Sequence, residues 1–202
     1  MPDDRRINRR RFFRESLREL LRPLSESLET AANELGAIES PKRTIPLRQW
    51  LRPPGALPES QFLETCSGCA ACVRVCPVQC IRIDATGNRG DGAPFIDPDA
   101  AACAVCDGLY CMPACPTGAL QIVPLTQIDM GTARWHPDSC LRGRGEDCTI
   151  CIDHCPIGSF AIELKDDKVL VHDNGCIGCG VCQHDCPTNP KSITVIAAGS
   201  GE

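Results

Sequence analysis

The chemistry of this chain is concentrated in its cysteines. The chain has 202 residues and 17 cysteines, and sixteen of these fall into four blocks that each end in Cys-Pro. The first block (66–77) reads Cys-x2-Cys-x2-Cys-x3-Cys-Pro, and the fourth (176–187) repeats this spacing. Three thiolates on one tight loop can each bind a different iron of a cube, and this run is typical of [4Fe-4S] ligation. Both blocks therefore predict [4Fe-4S] sites.

Blocks two and three have the same number of cysteines with wider gaps. Block two (103–116) reads Cys-x2-Cys-x4-Cys-x3-Cys-Pro, and block three (140–156) reads Cys-x7-Cys-x2-Cys-x3-Cys-Pro. The long gap in block three, "LRGRGED", contains Gly143 and Gly145 and can form a loop without removing a ligand. We therefore expect four clusters, one for each block.

Two alternatives compete with the four clusters. A disulfide between Cys140 and Cys148 would leave Cys151 and Cys155 as an isolated pair. Zinc usually binds two separated cysteine pairs around one ion, which needs fewer cysteines than these blocks supply. Cys80 is left over and is predicted not to be a ligand. The predicted cofactor-binding residues are Cys66, Cys69, Cys72, Cys76, Cys103, Cys106, Cys111, Cys115, Cys140, Cys148, Cys151, Cys155, Cys176, Cys179, Cys182 and Cys186.

The elements that must position these thiols also repeat. The first cysteines of the blocks recur every 36 or 37 residues, and a β-like run follows each Cys-Pro, at 80–84, 119–123, 160–164 and 192–196. This predicts an α+β fold of four cysteine-loop, short-helix and strand repeats, forming two ferredoxin-like 2[4Fe-4S] modules. Residues 161–173 are also expected to form strand, turn and strand, with Asp166 and Asp167 at the turn. Cys80 aligns with Ala119 and is expected to pack as a small buried residue, or alternatively to replace an oxidised ligand.

The segments that flank the repeats have a different composition. Residues 1–39 are predicted to form a basic amphipathic helix with a twin-arginine-like start, because leucines recur at helical spacing through 8–35. Residues 40–60 contain five prolines and predict an extended connector. The four-cluster domain is expected at 61–198, and 199–202 form a tail. We expect residues 8–35 to dock on a partner or a membrane surface. The alternative is a solvated helix with no docking role.

Composition also bears on location and function class. No run of 18 apolar residues occurs, so no transmembrane segment is expected. The segment after Arg9 and Arg10 is interrupted by charges, whereas an export signal needs an apolar stretch there. A cytoplasmic or membrane-peripheral location is therefore expected, with periplasmic export as the alternative. The sequence contains no Ser-His-Asp order, phosphate loop or dinucleotide fingerprint. The chain is thus predicted to be an electron carrier without a substrate site of its own, and no nucleic-acid partner is expected.

Several stretches resemble one known family. "RPPGALPESQFLETCSGCAACVRVCP" (52–77), "CMPACPTGAL" (111–120), "IDMGTARWHPDSC" (128–140) and the widened third block are similar to ferredoxin-type proteins of the NapG/MauM group. The resemblance implies a four-cluster polyferredoxin that relays electrons between redox partners, such as a membrane quinol-oxidising protein and a redox enzyme. The alternatives are a permanent electron-transferring subunit of a larger oxidoreductase complex and, third, a zinc-bound interaction scaffold.

The resemblance also bears on how the blocks pair. In two-cluster ferredoxins the fourth cysteine of a block ligates the other cluster of the pair. Related four-cluster subunits imply nested pairing, with block one beside block four and block two beside block three. Sequential pairing uses the same sixteen cysteines, and the sequence alone leaves both arrangements open.

Overall fold

The computed structural model describes residues 50–83 and 92–199, so the predicted N-terminal helix and the twin-arginine-like start lie outside the described residues. The helices are short: α1 (Glu59–Thr65), α2 (Ala71–Val75), α3 (Ile150–Asp153) and α4 (Val181–Asp185). The strands are β1 (Ile81–Ile83), β2 (Pro94–Ile96), β3 (Gly131–Trp135), β4 (Ile162–Lys165), β5 (Lys168–Val171) and β6 (Ile193–Ala197). The mixture of helix and strand agrees with the predicted α+β class. Among the described residues, no helix is both long and apolar enough to span a bilayer.

The strands form three two-stranded antiparallel ladders, β1 with β2, β3 with β6 and β4 with β5. Three of the four predicted strands are confirmed, since β1, β4 and β6 lie within or overlap the runs at 80–84, 160–164 and 192–196. The run at 119–123 makes only an isolated bridge between Leu120 and Ala56. Its partner is the irregular segment before α1, which cannot continue a ladder through Pro53, Pro54 and Pro58.

The hairpin between blocks three and four is confirmed at its turn. β4 and β5 pair from Ile162 opposite Val171 to Lys165 opposite Lys168. Asp166 and Asp167 form the two-residue turn with φ of 49° and 60°. Such hairpin turns need positive φ at both central residues, and aspartate tolerates this conformation better than most side chains do.

The described part of the predicted connector packs into the domain. The backbone N–H of Ile96 donates to the carbonyl oxygen of Leu51 at 2.8 Å, and that of Gln121 donates to Gly55 at 2.8 Å. Leu57 N–H donates in turn to Ala119 at 3.1 Å. We call residues 51–58 the lead-in segment of the domain, and the boundary near residue 60 stays a prediction.

Arg52 fixes the lead-in segment to α1. Its side chain is 1% exposed, and its Nη2 lies 2.6 Å from a carboxylate oxygen of Glu59. Its Nη1 donates to the carbonyl oxygen of Pro94 at 3.0 Å, and its guanidinium lies 5.1 Å from the ring centroid of Phe62. A buried guanidinium is tolerated when its donors and its charge are matched in this way. The "RPPGAL" stretch thus has a structural role at its first residue.

Two apolar clusters make up the core, and both contain predicted ligand cysteines. The larger includes Leu51, Phe62, Ile96, Met112 and Met130. The smaller is built on Ala133, Ile162, Val169 and Ile193, with Trp135 packed against it. Large rings are scarce in this chain, so the cysteines themselves occupy much of the interior.

Candidate metal centres

The cysteine loops wrap tightly because of left-handed residues between their thiols. In block one, Gly68 has φ of 66° and Ala70 has φ of 58°. In block four, Gly178 and Gly180 hold the same two places with φ of 71° and 85°. Loops of alternating handedness form backbone nests, which bind anionic groups, including iron–sulfur clusters. The third cysteine of each of these blocks then lies in a short helix, and the fourth follows directly after it.

The sixteen predicted ligand cysteines line four cavities, which we number by the block that supplies three thiols. Site 1 has Cys66, Cys69, Cys72 and Cys115; site 2 has Cys103, Cys106, Cys111 and Cys76; site 3 has Cys140, Cys148, Cys151 and Cys186; site 4 has Cys176, Cys179, Cys182 and Cys155. Each site thus combines one cysteine loop with the Cys-Pro cysteine of another block.

Blocks pair with their sequence neighbours, so the nested arrangement implied by related subunits is wrong for this chain. Blocks one and two exchange their fourth cysteines to form the first block pair, which contains sites 1 and 2. Blocks three and four do the same in the second block pair, which contains sites 3 and 4. Elements close in sequence usually pack together because short connections need little chain to close.

Several observations fit a cluster in these cavities. Within the described residues, no group of three His, Cys, Asp or Glu side chains is arranged to hold a single metal ion. A four-iron cube keeps its thiolates farther apart than one tetrahedral ion does, and it fills more space. Trp135 lines site 3. Among the buried side-chain nitrogen and oxygen atoms of the described residues, its Nε1 is the one without a hydrogen-bond partner. A buried N–H needs an acceptor, and the sulfur of a bound cluster would supply one.

The pKa values of the buried thiols also favour a bound cation. Burial, with repulsion from neighbouring thiols, raises the pKa of Cys72 and Cys151 to about 11. The same causes raise the pKa of Cys111 and Cys179 to about 12. Thiolates are the metal-binding form, and converging thiolates are stable together only when positive charge lies between them. The iron of a cluster would supply that charge.

Hydrogen bonds to the ligand sulfurs differ from site to site. Leu120 N–H donates to Cys115 Sγ in site 1 at 3.4 Å, and Ala133 N–H donates to Cys176 Sγ in site 4 at 3.4 Å. In site 3 the Thr188 hydroxyl lies 3.2 Å from Cys186 Sγ. Such bonds stabilise negative charge on sulfur and are a recognised control on the reduction potential of a cluster.

The spare cysteine lies beside site 2. Cys80 is 1% exposed, as expected for a residue that packs like alanine. It also lines site 2, with its Sγ 3.6 Å from Cys76 Sγ. The neighbouring Cys80 thiol lowers the pKa of Cys103. Site 2 therefore contains five thiols, and the prediction that Cys80 is not a ligand stays a prediction.

The block pairs meet at two ligand loops. The N–H of Cys103 in site 2 donates to the carbonyl oxygen of Cys179 in site 4 at 2.9 Å. Gln183, which is buried, donates to Asp99 at 2.8 Å and accepts from the N–H of Val195 at 2.7 Å. Sequence reasoning missed Gln183, because nothing marks a glutamine inside a cysteine block as a link to a distant segment.

The insertion in block three is held in place. It forms a 3-10 turn at Arg142–Arg144. Arg142 pairs with Asp147 and Asp167, and its Nε donates to the carbonyl oxygen of Cys148 at 3.4 Å. A side chain at Gly143 would collide with the carbonyl oxygen of Pro137. Both cysteines that flank the insertion line site 3, as expected for ligands separated by a loop.

Comparison with known proteins supports the same chemistry. A family described as a 4Fe-4S dicluster domain matches residues 65–119, which span blocks one and two. The methylamine utilization ferredoxin-type protein MauM of Paracoccus denitrificans is 36% identical over 163 residues, covering 75% of this chain and 73% of its own. MauM of Methylorubrum extorquens is 39% identical over 72% of both chains. The ferredoxin-type protein NapG of Escherichia coli is 29% identical, covering 93% of this chain and 85% of its own.

Proposed function

Because the chain belongs to the NapG/MauM group of ferredoxin-type proteins, we propose that it carries four [4Fe-4S] clusters and relays single electrons between redox partners. Iron–sulfur electron transfer is the shared character of this group and of the dicluster domain. The number of four clusters goes beyond this shared character. We propose that the clusters lie in two ferredoxin-like modules within 61–198, one for each block pair.

One observation carries the number four. Each of the four cavities is lined by three thiols of one block and the Cys-Pro thiol of its neighbour. This exchange is the ligation pattern of two-cluster ferredoxins, here present twice. The protein's part is to bury the thiolates, hold them apart and donate hydrogen bonds to their sulfurs. A bound cluster would supply the one-electron redox chemistry.

The contact between the block pairs supports one relay rather than two separate carriers. The hydrogen bond from Cys103 to Cys179 joins a ligand loop of site 2 to a ligand loop of site 4. Gln183 reinforces the same junction through Asp99. Two modules that meet at their ligand residues are suited to exchanging electrons with each other.

A partner can approach the second block pair from an open groove. The groove reaches Cys176 and is lined by Leu125, Phe160, Asp129 and Asp173, with Phe160 82% exposed. Anionic clusters and aspartates favour a partner that presents lysine or arginine around an apolar contact. We propose a redox protein of this kind, such as a membrane quinol dehydrogenase. If it copurifies in fixed stoichiometry, the chain is a permanent subunit instead.

The segment outside the described residues completes the proposal. Residues 8–35 would dock on a partner or a membrane surface, which gives a cytoplasmic or membrane-peripheral location, with export as the alternative. Liposome flotation of the full chain and of a chain lacking residues 1–39 tests the membrane-docking part of this proposal. Flotation that does not change on truncation would remove membrane docking by residues 8–35.

The test of the proposed function is chemical analysis of anaerobically purified protein. We expect about sixteen iron and sixteen acid-labile sulfide per chain, together with electron paramagnetic resonance signals on reduction. Iron and sulfide at half that amount would reduce the number of clusters to two. Zinc without sulfide would replace the cluster proposal with the scaffold.

A further inference from the structure

One position of the repeat lines all four sites. It is a buried residue at the first or second place of each β-like run. It is filled by Cys80, Ala119, Ala161 and Ser192, and each is 1% or 2% exposed. Each also lines the same cavity as the Cys-Pro cysteine that precedes it. The position is constant in the fold, whereas the ability of its side chain to hydrogen-bond is not.

Cys80 contacts a ligand sulfur of site 2. Its Sγ lies 3.6 Å from Cys76 Sγ, and Cys103 lines the same site. Once Cys76 and Cys103 bind a metal as thiolates, they have no proton and can only accept. The S–H of Cys80 is then the donor. Because the residue is buried, water does not compete for this bond.

We propose that Cys80 is a positioning residue that donates its S–H to Cys76 Sγ in site 2 and raises the reduction potential of the cluster held there. The inference rests on the proposed function, because it needs a cluster in the site. Reduction adds negative charge to cluster and ligand sulfurs, so a donor stabilises the reduced form more than the oxidised form. Ala119 has no donor at the equivalent place in site 1.

The second block pair shows a similar difference between its two sites. At site 3, Ser192 Oγ lies 2.6 Å from the Thr188 hydroxyl, which in turn lies 3.2 Å from Cys186 Sγ. At site 4 the position is Ala161. Each block pair thus combines one site that has a polar residue here with one that has alanine. The backbone and threonine bonds to other sulfurs, such as Leu120 N–H to Cys115, do not depend on this position.

The experiment exchanges the two side chains of the first block pair. Wild type, Cys80→Ala, Cys80→Ser, Ala119→Cys and Ala119→Ser are titrated anaerobically and followed by electron paramagnetic resonance, with iron and sulfide measured on each. We expect Cys80→Ala to keep the wild-type iron and to lower one midpoint potential. Cys80→Ser should restore most of that shift, since a hydroxyl is also a donor. Ala119→Cys, or Ala119→Ser with its smaller side chain, should raise a different midpoint potential, that of site 1.

Three outcomes would overturn the inference. Loss of one cluster's iron in Cys80→Ala would make Cys80 a ligand. Unchanged midpoints in Cys80→Ala would show that its thiol does not act on the cluster. A shift that Cys80→Ser does not restore would point to packing alone. Failure of the proposed function is distinguishable, because the wild-type protein would then show no sulfide and no reducible signal.

Discussion

In each block pair, a segment that precedes the pair in the chain covers its last β-like run, but the two segments do so differently. In the first, the lead-in segment 51–58 lies against β2 and residues 119–121, and Arg52 fixes it to α1. In the second, β3 pairs with β6, and β4 pairs with β5. Both halves contain a ladder between their two blocks, β1 with β2 or β4 with β5. The difference therefore lies at the last run, which makes only an isolated bridge in the first pair and a full ladder in the second.

This difference shows what a cysteine repeat specifies. The repeat determines where the thiols lie and which neighbour receives the fourth cysteine. It does not determine how the remaining surface of the site is covered. The larger core includes Leu51, Phe62 and Ile96, whereas the smaller one is built on fewer residues, with Ala133, Ile162, Val169 and Ile193 as its apolar members besides cysteine. The second half should therefore depend more on its clusters for stability.

Removal of the clusters should have the largest effect and should reach the second block pair first. Buried thiols without iron leave interior space unfilled, and metal binding in small domains is coupled to folding. We expect hydrogen exchange, measured by mass spectrometry during slow oxidative cluster loss, to lose protection in β4 and β5 before α1 and 51–58. Equal rates of loss in both halves would show that the difference in core size is unimportant.

Loss of single ligands should reveal the pairing of blocks. Cys69→Ser and Cys115→Ser both act on site 1, so either variant or the double variant should lose one cluster, about four of sixteen irons. Cys115→Ser combined with Cys148→Ser acts on sites 1 and 3, so about eight irons should be lost. Nested pairing reverses the results of the two double variants, because it places Cys115 and Cys148 in one site and Cys69 in another. Iron analysis of the purified variants decides between the two.

Sequence reasoning succeeded where a local signal exists. The cysteine spacings, the hairpin turn at Asp166 and Asp167, and the strands β1, β4 and β6 are all visible in short stretches. The partners of β1 and β6 were missed, because β2 and β3 have no distinctive pattern, and β3 lies far from β6 in sequence. Pairing of blocks and the link through Gln183 depend on tertiary contacts, which spacing within one block does not encode.

The ion pairs of the two halves offer a smaller test. Arg52 is 1% exposed, so Arg52→Ala breaks a buried ion pair with Glu59 and should reduce the free energy of unfolding by about 3 kcal/mol. The control is Arg134→Ala in the second half. Its pair with Asp173 is 42% and 64% exposed, so the loss should be about 1 kcal/mol or less. Anaerobic urea unfolding of the holoprotein measures both, and equal losses would contradict the role of the lead-in segment.

The two tryptophans allow the finest comparison. Trp135 lines site 3 with a buried Nε1 that has no protein partner, whereas Trp50 packs on Phe95 with ring centroids 5.7 Å apart and lines none of the four sites. Trp135→Phe keeps the ring but removes a donor to cluster sulfur, so one midpoint potential should fall with no loss of iron. Trp50→Phe removes the same N–H away from the thiols and should leave every midpoint unchanged. If both variants shift a midpoint, or neither does, the indole of Trp135 does not act on the site it lines.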